Sequence, residues 1–183
     1  MNIYLLVIDN NGIMFHCLDP DQSKKLMELG WHKDNPIRDI WNPVHLSISK
    51  RQRGRIPGDR ATIYGTIPVF SDLAIMVLGN FLLESGELLP LQPCFGAYFA
   101  YHFTSSCDCL DEQNSEFRTL PSGSPIEILK HSFFPSKIGD LQIFRIPHKQ
   151  FRYSIYVSDQ FVELVRQHHL TGFKFDKVWS SSS

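Results

Sequence analysis

Apolar and polar positions alternate near the N-terminus in a pattern typical of β-strands. Two apolar runs, MNIYLLVI and IMFHCL, flank the tetrapeptide Asp9-Asn10-Asn11-Gly12. An Asn-Gly pair supplies the positive φ angles that a tight turn between two strands requires. The pattern therefore predicts an N-terminal β-hairpin.

Two later segments have the apolar spacing of helices and share a Ser-Asp start. In IPVFSDLAIMVLGNFLLESG, Ser71 or Asp72 is expected to cap a helix over about residues 71–85. Apolar residues cover most of its circumference, which predicts a well-buried helix. In SIYVSDQFVELVRQHHLTG, Ser158 is expected to begin the second main helix, over about residues 158–169.

The segment between the hairpin and the first of these helices has little periodicity. Residues 19–60 contain four prolines and are predicted to be irregular. A short helix near Asp21–Leu29 is the exception, because Gly30 supplies a stop signal directly after it.

Strands are expected to alternate with turns in the second half of the chain. The predicted strands are Phe95–Phe103, Ile126–Leu129, Leu141–Ile146, Arg152–Val157 and Phe173–Trp179. Hairpin-like successions without regular βαβ alternation predict an α+β class with largely antiparallel sheets. We expect residues 1–60 to pack on a main domain spanning 61–179, followed by a disordered tail at 180–183.

Composition and charge narrow the function classes. The chain of 183 residues is 43% hydrophobic and 20% charged, with a net charge of −1, which is typical of a folded globular protein. This charge does not indicate binding to nucleic acid or membranes. No segment has the ~20 apolar residues of a membrane span, and the start lacks a signal-peptide pattern. We therefore expect a cytoplasmic protein whose four cysteines are reduced.

The segment CDCLDEQNSE, residues 107–116, combines two thiols with four acids and contains no basic residue. A zinc site would join Cys107 and Cys109 to His102 and Cys94. Structural zinc sites usually have two paired knuckles, however, and this chain has one tight pair. No metal or other cofactor is therefore predicted.

Catalytic roles for the same groups are also disfavoured. A nucleophilic cysteine needs a histidine base, and neither His16 beside Cys17 nor His102 near Cys107 has a recognisable catalytic signature. Acid/base hydrolysis needs two carboxylates in different environments, whereas the acids of residues 107–116 are clustered. A solvated loop or a helix start explains them better, so no catalytic residue is predicted.

The order of several motifs resembles a family of bacterial immunity proteins that are encoded beside polymorphic toxins. The motifs are SDLAIMVLGNFLLESGELLPL, AYFAYHFTSS, CDCLDEQNSEF, IFRIP, IYVSDQFVELV and LTGFKFDKVW, over roughly residues 60–179. The positions that carry the resemblance are Ser71, Glu87–Leu91, Asp108–Glu116, Ser158 and Thr171–Trp179. Cys109 departs from the family pattern, in which a small residue such as Ala is expected.

The resemblance implies function by binding: a cytoplasmic antidote that holds a cognate toxin domain inactive. It also implies that residues 107–116 are scaffold, with Leu110 inward and Ser115 and Glu116 organising a turn or helix start. Two charged patches are candidate partner contacts. The acidic one is Asp108, Asp111, Glu112 and Glu116, and the basic one is Arg51, Arg53 and Arg55. An enzyme that reverses toxin damage and a zinc-stabilised adaptor stay as alternatives.

Overall fold

A computed structural model describes residues 1–7, 12–31, 33–48, 52, 54–93 and 96–181. These residues form the predicted α+β fold, in which most strand pairs are antiparallel. The strands are β1 (Asn2–Val7), β2 (Met14–Cys17), β3 (His45–Ile48), β4 (Arg60–Ile63), β5 (Ile67–Ser71), β6 (Gly86–Pro90), β7 (Gln92–Pro93), β8 (Tyr98–Phe103), β9 (Glu116–Thr119), β10 (Pro125–Lys130), β11 (Ile143–Phe144), β12 (Tyr156–Ser158) and β13 (Lys174–Ser180). The helices are α1 (Pro20–Glu28), α2 (Asp72–Ser85), α3 (Pro135–Ile138) and α4 (Asp159–Gln167), with a 3₁₀ turn at Arg38–Ile40.

The larger sheet has seven strands in the order β6-β8-β5-β4-β2-β3-β7. The pairs β2–β4 and β3–β7 are parallel, and the other pairs are antiparallel. Its central strands β4 and β5 are buried along their whole length. Phe15, Ile63 and Val69 are fully buried in the core on this sheet, which explains why these strands are rich in β-branched and aromatic residues.

A second sheet has four antiparallel strands in the order β11-β12-β1-β13, and β9 and β10 form a separate antiparallel pair. The N-terminal strand β1 lies in its middle, where Ile3 is opposite both Ser158 on β12 and Trp179 on β13. Two separate cores contact β1, because Leu6 packs with the residues of α2 and α4 while Ile3 packs with the segment around residues 107–151.

Both N-terminal strands are present, but they do not pair with each other in the described residues, as a hairpin would require. β1 pairs with β12 and β13, whereas β2 pairs with β3 and β4 in the other sheet. The turn residues Asp9-Asn10-Asn11 lie outside the described residues. The physical reason for this correction is that an isolated hairpin leaves strand edges unpaired, whereas the central place of β1 satisfies both of its edges.

The two main helices begin at the predicted residues. The Oγ of Ser71 accepts a hydrogen bond from the backbone N of Ala74 at 3.1 Å, at the start of α2. The Oγ of Ser158 accepts one from the backbone N of Phe161 at 3.2 Å, at the start of α4. Each serine therefore satisfies a backbone donor that the first helical turn leaves unpaired, which confirms the N-cap predictions.

The burial of α2 differs from the prediction of a well-buried helix. One face, which includes Ala74, Leu78 and Leu82, is fully buried, but Met76 and Leu83 on the opposite face are exposed. The apolar composition around the whole circumference cannot show which face meets the rest of the protein. Only the positions of the sheets and of α4 decide that.

Residues 19–60 contain more regular structure than the sequence pattern predicted. The predicted short helix is confirmed as α1, and Gly30 after it has a φ angle of +76°. The segment also contains β3 and the 3₁₀ turn, which were not predicted because the four prolines indicated irregular structure. Strands from both sides of residue 60 occur in both sheets, and the domain boundary at that residue stays a prediction.

All five predicted strands of the second half are present, most of them with shorter bounds. The last one, β13, extends one residue beyond the predicted Trp179, and the backbone N of Ser181 donates to the carbonyl of Met1 at 2.9 Å. Within the described ranges, none of the helices has the length and apolar character needed to cross a membrane.

Asp59 connects the start of α2 to the turn before β13. Its carboxylate accepts hydrogen bonds from the Ser71 hydroxyl at 2.8 Å and from the backbone N and hydroxyl of Thr171 at 2.7 and 2.9 Å. Burial raises the pKa of this carboxyl, but the hydrogen bonds together lower it below its usual value. The junction therefore favours an ionised Asp59 and fixes α2 relative to the LTGF motif.

Candidate partner-binding surfaces

The segment CDCLDEQNSE lies along residues 132–134 and is held there by backbone contacts. The backbone N of Asp111 donates to the carbonyl of Ser132 at 2.9 Å, and the backbone N of Phe134 donates to the carbonyl of Cys109 at 2.8 Å. Between these bonds, Leu110 pairs with Phe133 as an isolated antiparallel bridge and is buried, as predicted. The segment is therefore part of the scaffold.

Asp111 and Ser115 close a turn within this segment. The Asp111 carboxylate accepts hydrogen bonds from the backbone N and the side-chain Nδ2 of Asn114, at 3.2 and 2.6 Å. The Ser115 hydroxyl donates to the Asp111 carbonyl at 2.7 Å and accepts from the backbone N of Ser132 at 3.0 Å. Both side chains are buried, so the loop interpretation is confirmed and Asp111 has an internal structural role.

The other three acidic candidates are exposed, and lysines lie beside two of them. Lys137 Nζ is 3.1 Å from Asp108 Oδ2, and Lys130 Nζ is 3.4 Å from Glu116 Oε1 across the β9–β10 pair. Glu112 is exposed between them along the chain. The surface of this segment therefore carries less net negative charge than its four acidic residues alone would give.

The two thiols of the segment are buried. The Cys107 Sγ donates to the carbonyl of Lys137 at 3.3 Å. The hydrogen bond with Cys107, together with burial, raises the pKa of the Cys109 thiol and keeps it protonated. In the described part of the chain, no three His, Cys, Asp or Glu side chains lie close enough to hold a metal ion, and Cys94 lies outside that part.

His102 makes structural contacts. Its Nε2 donates to the carbonyl of Asn35 at 2.9 Å, and its ring packs edge-on against Trp31 at a centroid distance of 5.4 Å. Burial lowers the pKa of this imidazole, so it is neutral near pH 7. The ring thus joins β8 to the loop around residue 35.

The basic candidates fall largely outside the described residues. Arg51 and Arg53, together with Lys50, are not described, whereas Arg55 is exposed on the surface. The backbone N of Arg55 donates to the carbonyl of Gln52 at 3.1 Å, which places it in a turn.

A groove of about 410 Å³ lies between β10 and the outer face of the four-stranded sheet. On its wall, the Nε2 of His131 and the hydroxyl of Tyr156 form a hydrogen bond of 3.2 Å. Burial lowers the pKa of His131 to about 4 and raises the pKa of Tyr156. Both rings are therefore neutral near pH 7, and the charged residues that line the groove are Glu127, Asp176 and Lys177.

The outer face of α2 is a second surface, formed by large apolar side chains in contact with solvent. Leu73, Met76 and Leu83 are 43%, 77% and 57% exposed. The sequence pattern identified these residues as apolar helix positions but assigned them to the core, so it missed this surface. Their exposure follows only from the packing of α2.

The sequence pattern also missed Arg145, which is 3% exposed and lies directly after β11. Its guanidinium donates to the carbonyls of Trp31 and Lys33 at 2.9 and 2.8 Å and to the carboxylate of Asp34. The guanidinium also donates to the carbonyl of Phe103 at 3.3 Å. No local signal around IFRIP indicated this role, because the four partners lie 42 or more residues away in sequence.

Comparisons with known proteins support one family. Residues 95–180 match the sequence model of the immunity protein family Imm11, whereas no curated protein matches the chain. The matched range, slightly under half of the chain, includes five of the six motifs that carried the resemblance: AYFAYHFTSS, CDCLDEQNSEF, IFRIP, IYVSDQFVELV and LTGFKFDKVW. Over residues 95–180 the chain is therefore similar to the Imm11 immunity protein family, which confirms the resemblance to immunity proteins.

Proposed function

We propose that this chain is an immunity protein that binds its cognate toxin domain directly and holds it inactive in the cytoplasm of the producing cell, without an enzymatic step. The observation that carries the proposal is the match of residues 95–180 to the Imm11 immunity protein family. The free thiols of Cys17, Cys107 and Cys109 are compatible with a reducing compartment.

The bonding of the candidate catalytic groups supports binding over catalysis. The His102 imidazole and the Cys107 thiol donate to backbone carbonyls of other segments, and the Asp111 carboxylate closes a turn with Asn114. A catalytic group needs access to substrate, whereas these three side chains are buried. In contrast, several large apolar side chains lie on the surface of regular elements, where a protein partner can cover them.

We also propose charged contacts at the rim of the interface. In the acidic segment these are the exposed Asp108, Glu112 and Glu116, because Asp111 is bonded internally. In the basic segment they are Arg51, Arg53 and Arg55. Rim charges mainly affect the rate of association, so each substitution is expected to have a small effect on affinity.

The test uses the C-terminal domain of the protein encoded immediately upstream. Co-expression with this chain should protect the cell, and the two proteins should co-purify as a complex. In vitro, inhibition of the purified toxin domain should saturate at one equivalent of the chain. An enzyme that reverses damage would instead act at far less than one equivalent and restore an already damaged target. The absence of both protection and complex formation would overturn the proposal.

A further inference from the structure

The outer face of α2 is an apolar stripe without a partner in the described structure. Leu73, Met76 and Leu83 are spaced so that they share one face of the helix with Asn80, opposite the buried Ala74 and Leu78. Met76 is the most exposed of the three, at 77%. Flexible, polarizable methionines are common at protein-binding surfaces. A row of such side chains on a regular helix indicates a contact surface.

The charges around the stripe are acidic. Asp72 and Glu84 lie exposed at its two ends, and α2 contains no basic residue. The neighbouring helix α4 contacts α2 through the rings of Phe161 and Phe81, 6.4 Å apart. It contributes Asp159, Glu163 and one basic residue, Arg166, to the same layer of helices. Asp72 and Glu84 thus form an acidic rim at the two ends of the stripe.

This charge distribution selects between two kinds of partner. A second copy of the chain would bring another acidic rim against the first, and like charges across an interface oppose association. A partner with lysines or arginines around an apolar centre would instead be attracted on encounter and fit the rim.

Gly79 in the middle of α2 is an independent observation. A Cβ atom added at this position would meet only the Cγ2 of Ile75, at 3.6 Å, which is an ordinary contact. Packing within the chain therefore does not require glycine, although glycine is less stable than alanine in a helix. Gly79 precedes Leu83 by four residues and follows Met76 by three, so it borders the stripe. A missing side chain there allows the backbone of a partner to approach closely.

On these grounds we infer that the outer face of α2 is the docking surface for the toxin domain, which presents an apolar centre within a basic rim. The inference rests on the proposed function and specifies the partner surface. α2 precedes the range 95–180 that matches the family model.

The main test compares two methionines that lie on the surface of helices. Met76→Lys places a positive charge in the stripe, whereas Met27→Lys makes the same change on α1, where Met27 is 54% exposed. Binding is measured by calorimetry with the purified C-terminal domain encoded upstream. We expect the dissociation constant to rise at least about tenfold for Met76→Lys and Leu83→Lys and to stay unchanged for Met27→Lys. Unchanged melting temperatures confirm that each variant is folded.

Gly79→Ala separates docking from folding. Alanine should raise the melting temperature by roughly 2–4 °C and weaken toxin binding at the same time. A variant that is more stable and yet binds more weakly cannot be explained by damage to the fold. If Gly79→Ala and both lysine variants bind as tightly as wild type, the inference is wrong.

The outcomes for the inference and for the proposed function are distinct. If the wild-type chain fails to bind or protect, both are overturned. If wild type binds but Leu129→Lys on β10 abolishes binding while the α2 variants do not, only the α2 inference is overturned, and the β9–β10 pair is the docking surface. Sedimentation that shows a wild-type dimer and a monomeric Met76→Lys variant would assign the stripe to a second copy and also overturn the inference.

Discussion

The guanidinium of Arg145 and the carboxylate of Asp34 form an ion pair, with Nη2 and Oδ1 2.5 Å apart, between residues 111 positions apart in sequence. The carbonyl of Arg145 also accepts a hydrogen bond from the backbone N of Cys107 at 2.8 Å. Arg145, which lies directly after β11, therefore binds both the loop around residue 34 and the start of the CDCLDEQNSE segment.

Loss of the Arg145 side chain should strongly destabilise the protein. Arg145→Ala leaves the carbonyls of Trp31 and Lys33 without their donor and removes the partner of Asp34. Because the Asp34 side chain is 41% exposed, most of the cost is expected from the two carbonyls left without a donor, at about 1–3 kcal/mol each. Urea denaturation of the variant should show a loss of this size in the free energy of unfolding.

The control for Arg145→Ala is an exposed ion pair of the same kind. Arg118 and Glu127 pair across β9 and β10, with side chains 62% and 48% exposed. Arg118→Ala should cost less than about 1 kcal/mol, because water replaces the lost contact. Equal costs for the two arginines would show that Arg145 does not have the anchoring role.

Leu110 and Glu112 should differ sharply in their effect on stability. Leu110 is buried beside Phe133, so Leu110→Asp places a carboxylate in an apolar core and is expected to unfold the protein. Glu112 is exposed, and Glu112→Ala should change the free energy of unfolding by no more than about 0.5 kcal/mol. Its effect on toxin binding should also be small. Similar, small changes in the melting temperatures of both variants would contradict the scaffold role of the segment.

Two features require glycine at position 172: a positive φ angle and a close contact with the backbone of β4. Its φ angle is +81°, and a Cβ atom there would lie 2.2 Å from the carbonyl oxygen of Arg60. Gly123 in the turn between β9 and β10 has the same φ angle but nothing within 4 Å of a Cβ atom. Gly123→Ala should therefore cost about 1–2 kcal/mol from backbone strain alone.

Gly172→Ala should cost more than Gly123→Ala, since β4 and the LTGF turn must also move apart. The difference between the two melting temperatures measures the contribution of the close approach. It should be accompanied by weaker protection from amide exchange at the backbone N of Arg60, which donates to the carbonyl of Thr171 at 3.0 Å. Equal melting temperatures would show that the turn relaxes without strain.

Stability should fall in mildly acidic solution because of His131. Its folded pKa is about 4, whereas an unfolded histidine has a pKa of about 6.5. Between these values the unfolded chain binds the proton more readily, so the free energy of unfolding decreases as the pH falls from about 6.5 to about 4. Urea denaturation of wild type at several pH values in this range measures the slope.

His131→Gln should reduce that slope, because glutamine does not titrate and can still bond to the Tyr156 hydroxyl. A residual slope is expected from His102, whose pKa is also lowered by burial. His168→Gln, an exposed position at the end of α4, is the control for loss of one imidazole. An identical pH dependence in wild type and His131→Gln would contradict the assignment.

The helix boundaries could be read from the sequence because their signals are local. A serine that accepts from a backbone N three residues later acts within one helical turn, so Ser71 and Ser158 needed no knowledge of the rest of the fold. The inward position of Leu110 and the α+β class followed in the same way, from short patterns and from the order of the motifs. The family resemblance likewise depended on sequence alone.

Strand pairing and helix burial depend on residues that are far apart in the sequence, so only the tertiary structure could show them. The Asn-Gly signal predicted that β1 and β2 pair, but β1 has both edges satisfied by β12 and β13, which lie more than 150 residues away. Trp31, Lys33 and Asp34, which bind the guanidinium of Arg145, lie 111 to 114 residues away from it. The exposed stripe on α2 is the clearest case, because an all-round apolar helix can bury either face. Only the placement of the sheets and of α4 left Met76 and Leu83 in solvent, since the opposite face fills the available core.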